Sequence, residues 1–138
     1  MKELMVSLLI WIGANSTLPV EDVPLPEIEY LSSEELYTLY TIEDACDTNY
    51  RALYDMNHTI IYLLDDWNKS NLIDRSFLLH ELVHHVQKEE GYESRVMREE
   101  ESYQLQFSYL QESATDDSDE VLRISDLFYI IMNNCHIM

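Results

Sequence analysis

His80 and His84 stand four residues apart in the run Leu78-Leu79-His80-Glu81-Leu82-Val83-His84-His85-Val86-Gln87, with Glu81 directly after the first of them. On an α-helix that spacing puts both imidazoles on one face, one turn apart. From there both can reach a single tetrahedral ion at roughly 2.0–2.1 Å, the length of a zinc–histidine bond. Glu81 can reach a water at that ion without being a ligand, and can take its proton while the metal acts as a Lewis acid. The pattern His-Glu-x-x-His would arise by chance only about 0.02 times in a chain of this composition. His85, about 100° round the helix from His84, is expected behind a ligand or at the surface rather than on the metal.

A catalytic zinc site needs a third protein ligand and an open fourth position. No histidine occurs between His85 and His136, which excludes a third histidine shortly downstream. Carboxylates are plentiful in Arg98-Glu99-Glu100-Glu101-Ser102-Tyr103. If Val96, Tyr103, Phe107 and Leu110 form the inward face of a helix, Glu99 and Glu100 each fall about 50° from its centre and Glu101 about 150° away. Glu101 is therefore expected to point outward, and periodicity leaves Glu99 and Glu100 both open. Asp74 is a further candidate partner for a ligand histidine, although a helix N-cap is its simpler role.

Several elements must position these residues. The metal helix is expected over 74–89, opened by Asp74 or an adjacent polar residue and stopped by Gly91. A second long helix should cover 94–111. Ahead of them, the β-rich runs 50–54 and 59–64 flank Asp55-Met56-Asn57-His58, which predicts a hairpin. If its second strand is a sheet edge, an extended peptide could pair with it. Ile28 to Leu31 reads as a short strand, and Ser32 with Glu35 as a capping box opening a short helix. Pro19, Pro24 and Pro26 make an extended connector after a first helix over 1–14. That helix is expected to belong to the domain, because Glu3 is unlike the basic start of a secretion signal and the run is too short to span a bilayer. A final helix over 120–135 is apolar nearly all round, which suits deep burial or self-association.

At 138 residues the chain is expected to form one domain over 1–138. The hydrophobic fraction of 46% is that of a folded protein, and two Gly and three Pro leave little room for flexible linkers. The fold class expected is α+β and mainly helical, with a small sheet or hairpin packed on the His-Glu-x-x-His helix and a following glutamate-bearing helix. A formal charge of −19 argues against nucleic acid or an anionic membrane surface as partner. Cys46 and Cys135 are the only cysteines; they are expected as buried thiols, or as one disulfide if the protein is exported, with the cytoplasm favoured.

These motifs resemble those of the gluzincin side of the zincin metallopeptidases. There a His-Glu-x-x-His helix is joined by a glutamate ligand on a later helix, with a small residue three positions on. Ser102 occupies that small position relative to Glu99, so the resemblance selects Glu99 over Glu100. The chain also resembles a small uncharacterised bacterial domain family, through Trp11-Ile12-Gly13-Ala14, Asp65-Asp66-Trp67, His80 to Gln87 and Glu99 to Gln106 in that order. The larger peptidases often carry an aspartate four residues after the glutamate ligand; Tyr103 stands there instead, as a possible contact to a ligand or an oxyanion donor. Tyr92 and His58 are further candidate donors.

The resemblance implies a minimal zincin-like domain with Zn2+ held by His80, His84 and Glu99. It further implies Glu81 as catalytic base and a peptide or protein as substrate. The alternative is a non-catalytic zinc-binding or regulatory domain, its site vestigial or closed by a fourth ligand such as His58 or His136.

Overall fold

The computed structural model describes residues 1–39, 51–91 and 95–113, with the side chains of 95–97 excepted. The expected helix over 120–135, both cysteines, Tyr92 and His136 lie outside the described residues. The elements run α1 (Lys2–Asn15), β1 (Glu27–Leu31), α2 (Ser33–Thr38), β2 (Ala52–Asp55), β3 (Ile60–Leu64), α3 (Leu72–Glu90) and α4 (Arg95–Ser113). The class is α+β, a small sheet packed on helices.

The hairpin forms where turn chemistry places it. The Asp55 carboxylate accepts from the backbone N–H groups of Asn57 and His58, and Thr59 closes the turn with φ at 57°. Strand β3 then pairs antiparallel with β2 and parallel with β1, in the order β1-β3-β2. It is thus the central strand, with its backbone groups taken on both sides. The expectation that it offers an edge to a peptide is corrected by the parallel partner, which joins it from far back in the sequence.

Helix α2 starts at the expected capping box: Ser32 Oγ accepts from Glu35 N–H, and the Glu35 carboxylate accepts from Ser32 N–H. Helix α3 opens at Leu72, two residues before the expected start at Asp74. Its N-cap is Asn71, whose side-chain oxygen accepts from Asp74 N–H. Gly91 ends it in the left-handed conformation at φ 73°, its N–H bonded to the carbonyls of Gln87 and Lys88.

The core lies between the sheet, α1 and α3. Leu78, Leu79, Leu82, Val83 and Val86 of α3 are fully buried, against Met5, Leu8, Leu9 and Ile12 of α1 and Ile61 and Leu63 of β3. Each such side chain contributes about 1.5–3 kcal/mol by leaving water. Val20 folds back on α1 so closely that a Cβ at Gly13 would sit 2.6 Å from its Cγ2. Among the described residues, no helix is long and apolar enough to cross a membrane.

Helix α4 packs along α3, where its Leu105 and Tyr109 join this core and its polar stripe meets the histidine side of α3. Its buried face holds Ser102, Tyr103, Leu105, Gln106, Tyr109 and Leu110, whereas Phe107 is only partly covered. That face is turned from the one expected on apolar periodicity, because the α3–α4 contact is partly polar.

Candidate metal centre

Four turns of α3 present Ser76, His80, His84 and Gln87 to α4, which answers with Glu99, Ser102, Tyr103 and Gln106. Both sets repeat at three to four residues, so each lies along one helix stripe. His80 Nε2 and His84 Nε2 face one another at 3.1 Å. Glu99 Oε1 lies 2.5 Å from His84 Nε2 and 3.8 Å from His80 Nε2. Glu100 is exposed. Of the two glutamates that periodicity left open, the fold turns Glu99 to the histidines.

Glu81 is buried beside them: one of its carboxylate oxygens and a ring nitrogen from each histidine all lie within 4.8 Å of one another. Two carboxylates therefore border the pair. Glu99 Oε1 lies against His84 Nε2 and farther from His80 Nε2, and His80, Glu81 and His84 themselves form a group that could hold a metal ion.

The donor set fits a zinc ion. Two ligands at about 2.05 Å in tetrahedral geometry stand roughly 3.3 Å apart. The three separations of 3.1, 2.5 and 3.8 Å bracket that value. Nitrogen and carboxylate oxygen are ordinary zinc ligands, and two imidazole nitrogens with a carboxylate oxygen crowded together call for shared positive charge. Without a metal, protons supply part of it. Burial acts to lower the pKa of His80, but hydrogen bonding to Glu99 and the charges of Glu81 and Glu99 prevail and raise it. Burial likewise acts to raise the Glu99 carboxyl, and the hydrogen bonds and charges of His80 and His84 hold it far below the usual carboxylate range.

The remaining ring nitrogens are held by side chains that sequence reasoning assigned no role. His80 Nδ1 lies 3.0 Å from Gln106 Oε1, and His84 Nδ1 lies 2.9 Å from Gln87 Oε1. Ser102 Oγ is 3.3 Å from His84 Nδ1. Gln87 in turn donates to Glu101 Oε1 at 2.9 Å. Glu101 is thus tied to the back of the site rather than turned away from it. The available signal was spacing: Gln87 lies one turn beyond His84, and Gln106 two turns beyond Glu99.

Tyr103 is buried with its ring tilted against that of His80, the centroids 4.4 Å apart. It packs directly on a candidate ligand. Asp74 does not meet a histidine, and neither does it cap the helix. Its carboxylate accepts from Arg51 Nε at 2.9 Å, from a second Arg51 nitrogen at 3.1 Å and from Asn68 N–H at 2.9 Å, while its carbonyl accepts from Trp67 Nε1. Arg51 thereby claims the aspartate for the loop before α3, and Gln106 fills the place against His80 instead.

His85 is neither beside a ligand's back nor at the surface. It is fully buried on the sheet side, where Tyr54 OH donates to Nδ1 at 2.8 Å and Nε2–H donates to the Pro24 carbonyl at 2.6 Å. Burial lowers its pKa and pushes the Tyr54 hydroxyl up to about 12. His58 is held on its own hairpin by Asp55 at 2.7 Å, with 70% of its side chain exposed.

Comparison with known proteins bears on this geometry only through family membership. The profile of one family, Domain of unknown function (DUF6647), matches residues 1–125 and so takes in every described element. No curated protein and no solved structure matches the chain.

Proposed function

The chain belongs to the DUF6647 family, and from the constellation this member carries we propose that it is a zinc-dependent hydrolase, a metallopeptidase acting on a peptide or protein. The observation that carries the reading is the approach of Glu99 Oε1 to the facing Nε2 atoms of His80 and His84, with Glu81 buried beside them. His80, His84 and Glu99 would hold the metal. Zinc bound there supplies Lewis acidity, which makes a water acidic enough to lose a proton near neutral pH and polarises a carbonyl.

The chain's own residues do the rest. A carboxylate oxygen of Glu81 takes the proton from the attacking water and later delivers it to the leaving amine nitrogen. Gln87 and Gln106 keep the two imidazoles in place. Tyr103 walls one side of the His80 ring, which limits water there, and is the candidate oxyanion donor. His58 is a poor donor or fourth ligand, because Asp55 already engages its Nδ1 at the hairpin tip.

The test has two arms. Purified protein should carry about one zinc per chain, lost in His80→Ala and His84→Ala. Glu81→Gln should keep the zinc and lose peptide hydrolysis. A metal-free wild type with no affinity for zinc would end the metal reading. Full zinc occupancy with peptide cleavage unchanged by Glu81→Gln would end the catalytic assignment, and zinc binding with no hydrolysis by wild type would favour the non-catalytic zinc domain.

A further inference from the structure

Strand β1 leaves one side of the sheet open, and the register tells which of its groups face that side. Glu27 N–H donates to the Thr59 carbonyl, and the Leu31 carbonyl accepts from Asp65 N–H. In a strand the N–H and C=O of one residue point to the same side, and those of the next residue to the other. Glu27, Glu29 and Leu31 therefore direct their backbone groups to β3. Ile28 and Tyr30 turn theirs outward, where no strand among the described residues pairs with β1. Two N–H donors and two carbonyl acceptors stand along that edge.

The side chains sort onto the two faces of the sheet. Glu27 and Glu29 are exposed on the face of Ile60 and Tyr62, their partners in register. Asp55, paired with Ile60 from the other side, adds a third carboxylate to the row of Glu27. The opposite face of the edge is apolar. Ile28 is half-buried there, and Tyr30 stays 52% exposed although Ile61 and Leu63 on the same face are fully covered. An edge that has only to remain unpaired carries charge or proline at its open positions. Here the open positions hold isoleucine and tyrosine, which favour strands.

We propose that the open edge of β1 takes up an extended segment of a partner protein as a further strand, one that alternates Lys or Arg with apolar residues. Its basic side chains stand against Glu27 and Glu29, and its apolar ones against Ile28 and Tyr30, while its backbone completes the ladder. The formal charge of −19 draws such a segment in. A second copy of β1, paired antiparallel, is the wrong occupant. It would bring its own Glu27 and Glu29 to the same face, and like charges opposite one another destabilise a strand pair. Strand β1 is the outer strand away from β2, and α3 rests mainly on β2 and β3. The inference thus goes beyond the hydrolase reading and does not depend on it.

The probe is a synthetic peptide alternating Lys and Val, with an alternating Glu and Val peptide as control, titrated into the nitrogen-labelled full chain at low salt. One Lys–Val peptide per chain should bind and protect the Ile28 and Tyr30 amides from hydrogen exchange, and the Glu–Val peptide should not. Glu27→Gln with Glu29→Gln should weaken binding by roughly 2–30-fold, the scale of two cross-strand charge pairs. Glu27→Lys with Glu29→Lys should abolish it. Tyr30→Pro removes an outward N–H without touching the ladder to β3, and should also abolish it. If that variant fails to fold, the exposed charge variants decide the matter.

Binding that ignores both glutamates, or leaves the Ile28 and Tyr30 amides unprotected, would overturn the proposal, as would no binding at all. Protection of those amides by dimerisation without peptide would overturn it in favour of a second copy. Loss of peptide binding in His80→Ala would move the peptide to the metal centre and overturn it too. Edge protection by peptide in a protein with no zinc and no hydrolysis would leave this proposal standing and remove the hydrolase reading. Zinc-dependent hydrolysis with an unprotected edge would do the reverse.

Discussion

Glu99 and Glu100 show how finely the outcome depends on one side chain. Both lay equally far from an inward face drawn through the apolar residues of α4. The real face is turned toward Ser102, Gln106 and Tyr109, which carries Glu99 to the histidines and leaves Glu100 in solvent. Glu99→Gln should therefore weaken zinc binding beyond the 10–100-fold or so typical of groups behind a ligand, while Glu100→Gln should leave it unchanged. Titration with a competing chelator measures both, and a larger loss for Glu100→Gln would refute the placement of Glu99. His80, Glu81 and His84 were legible because their relation is local to one helix. Gln106 and Glu101 were not, because hydrophobic periodicity finds apolar faces and this contact is a polar stripe between two helices.

Among the elements, those set by short-range chemistry were readable: the Asp55–His58 turn, the Ser32–Glu35 capping box and the Gly91 stop. The parallel pairing of β1 with β3 was not, since parallel strands share no turn whose residues could announce them. The start of α3 lay between these cases. Asn71 and Asp74 are both good capping residues by type, and Arg51, distant in sequence, decided between them by taking the Asp74 carboxylate. Asp74→Ala should thus act on the frame and not on the metal. Breaking a buried charge pair costs about 3–5 kcal/mol, and partial exposure of the Arg51 side chain reduces that toward about 2 kcal/mol. Urea unfolding of the metal-free variant should show the loss, with zinc affinity unchanged from wild type. A large loss of affinity would instead return Asp74 to the neighbourhood of the ligands.

At the scale of the whole molecule, α3 is the shared wall of two unlike compartments. One face closes the apolar core with α1, the sheet and Leu105 and Tyr109 of α4, and the other lines the polar site with the polar stripe of α4. A metal held by His80, His84 and Glu99 would tie α3 to α4 across that second face. Zinc at about 1,000 times its dissociation constant should then stabilise the fold by about 4 kcal/mol, raising the melting temperature by roughly 10 °C. Calorimetry with zinc and with a chelator tests this, and no shift would mean that the metal does not bridge the helices. A formal charge of −19 favours cation capture in the same direction, with a salt dependence that a neutral protein would lack.

The contact between Trp11 and the end of α4 has a consequence for how the chain is made. Trp11 Nε1 donates to Glu112, and its ring meets Tyr109 edge-on at 5.4 Å, about a hundred residues away in sequence. A growing chain emerges from its amino end, so α1 is made about a hundred residues before this partner exists. Among the described residues, Met5, Leu8, Leu9 and Ile12 share a core with residues of the sheet, α3 and α4, which come late as well. Such long-range closure favours slow maturation, in which α1 must be kept from other apolar surfaces until α4 has been synthesised.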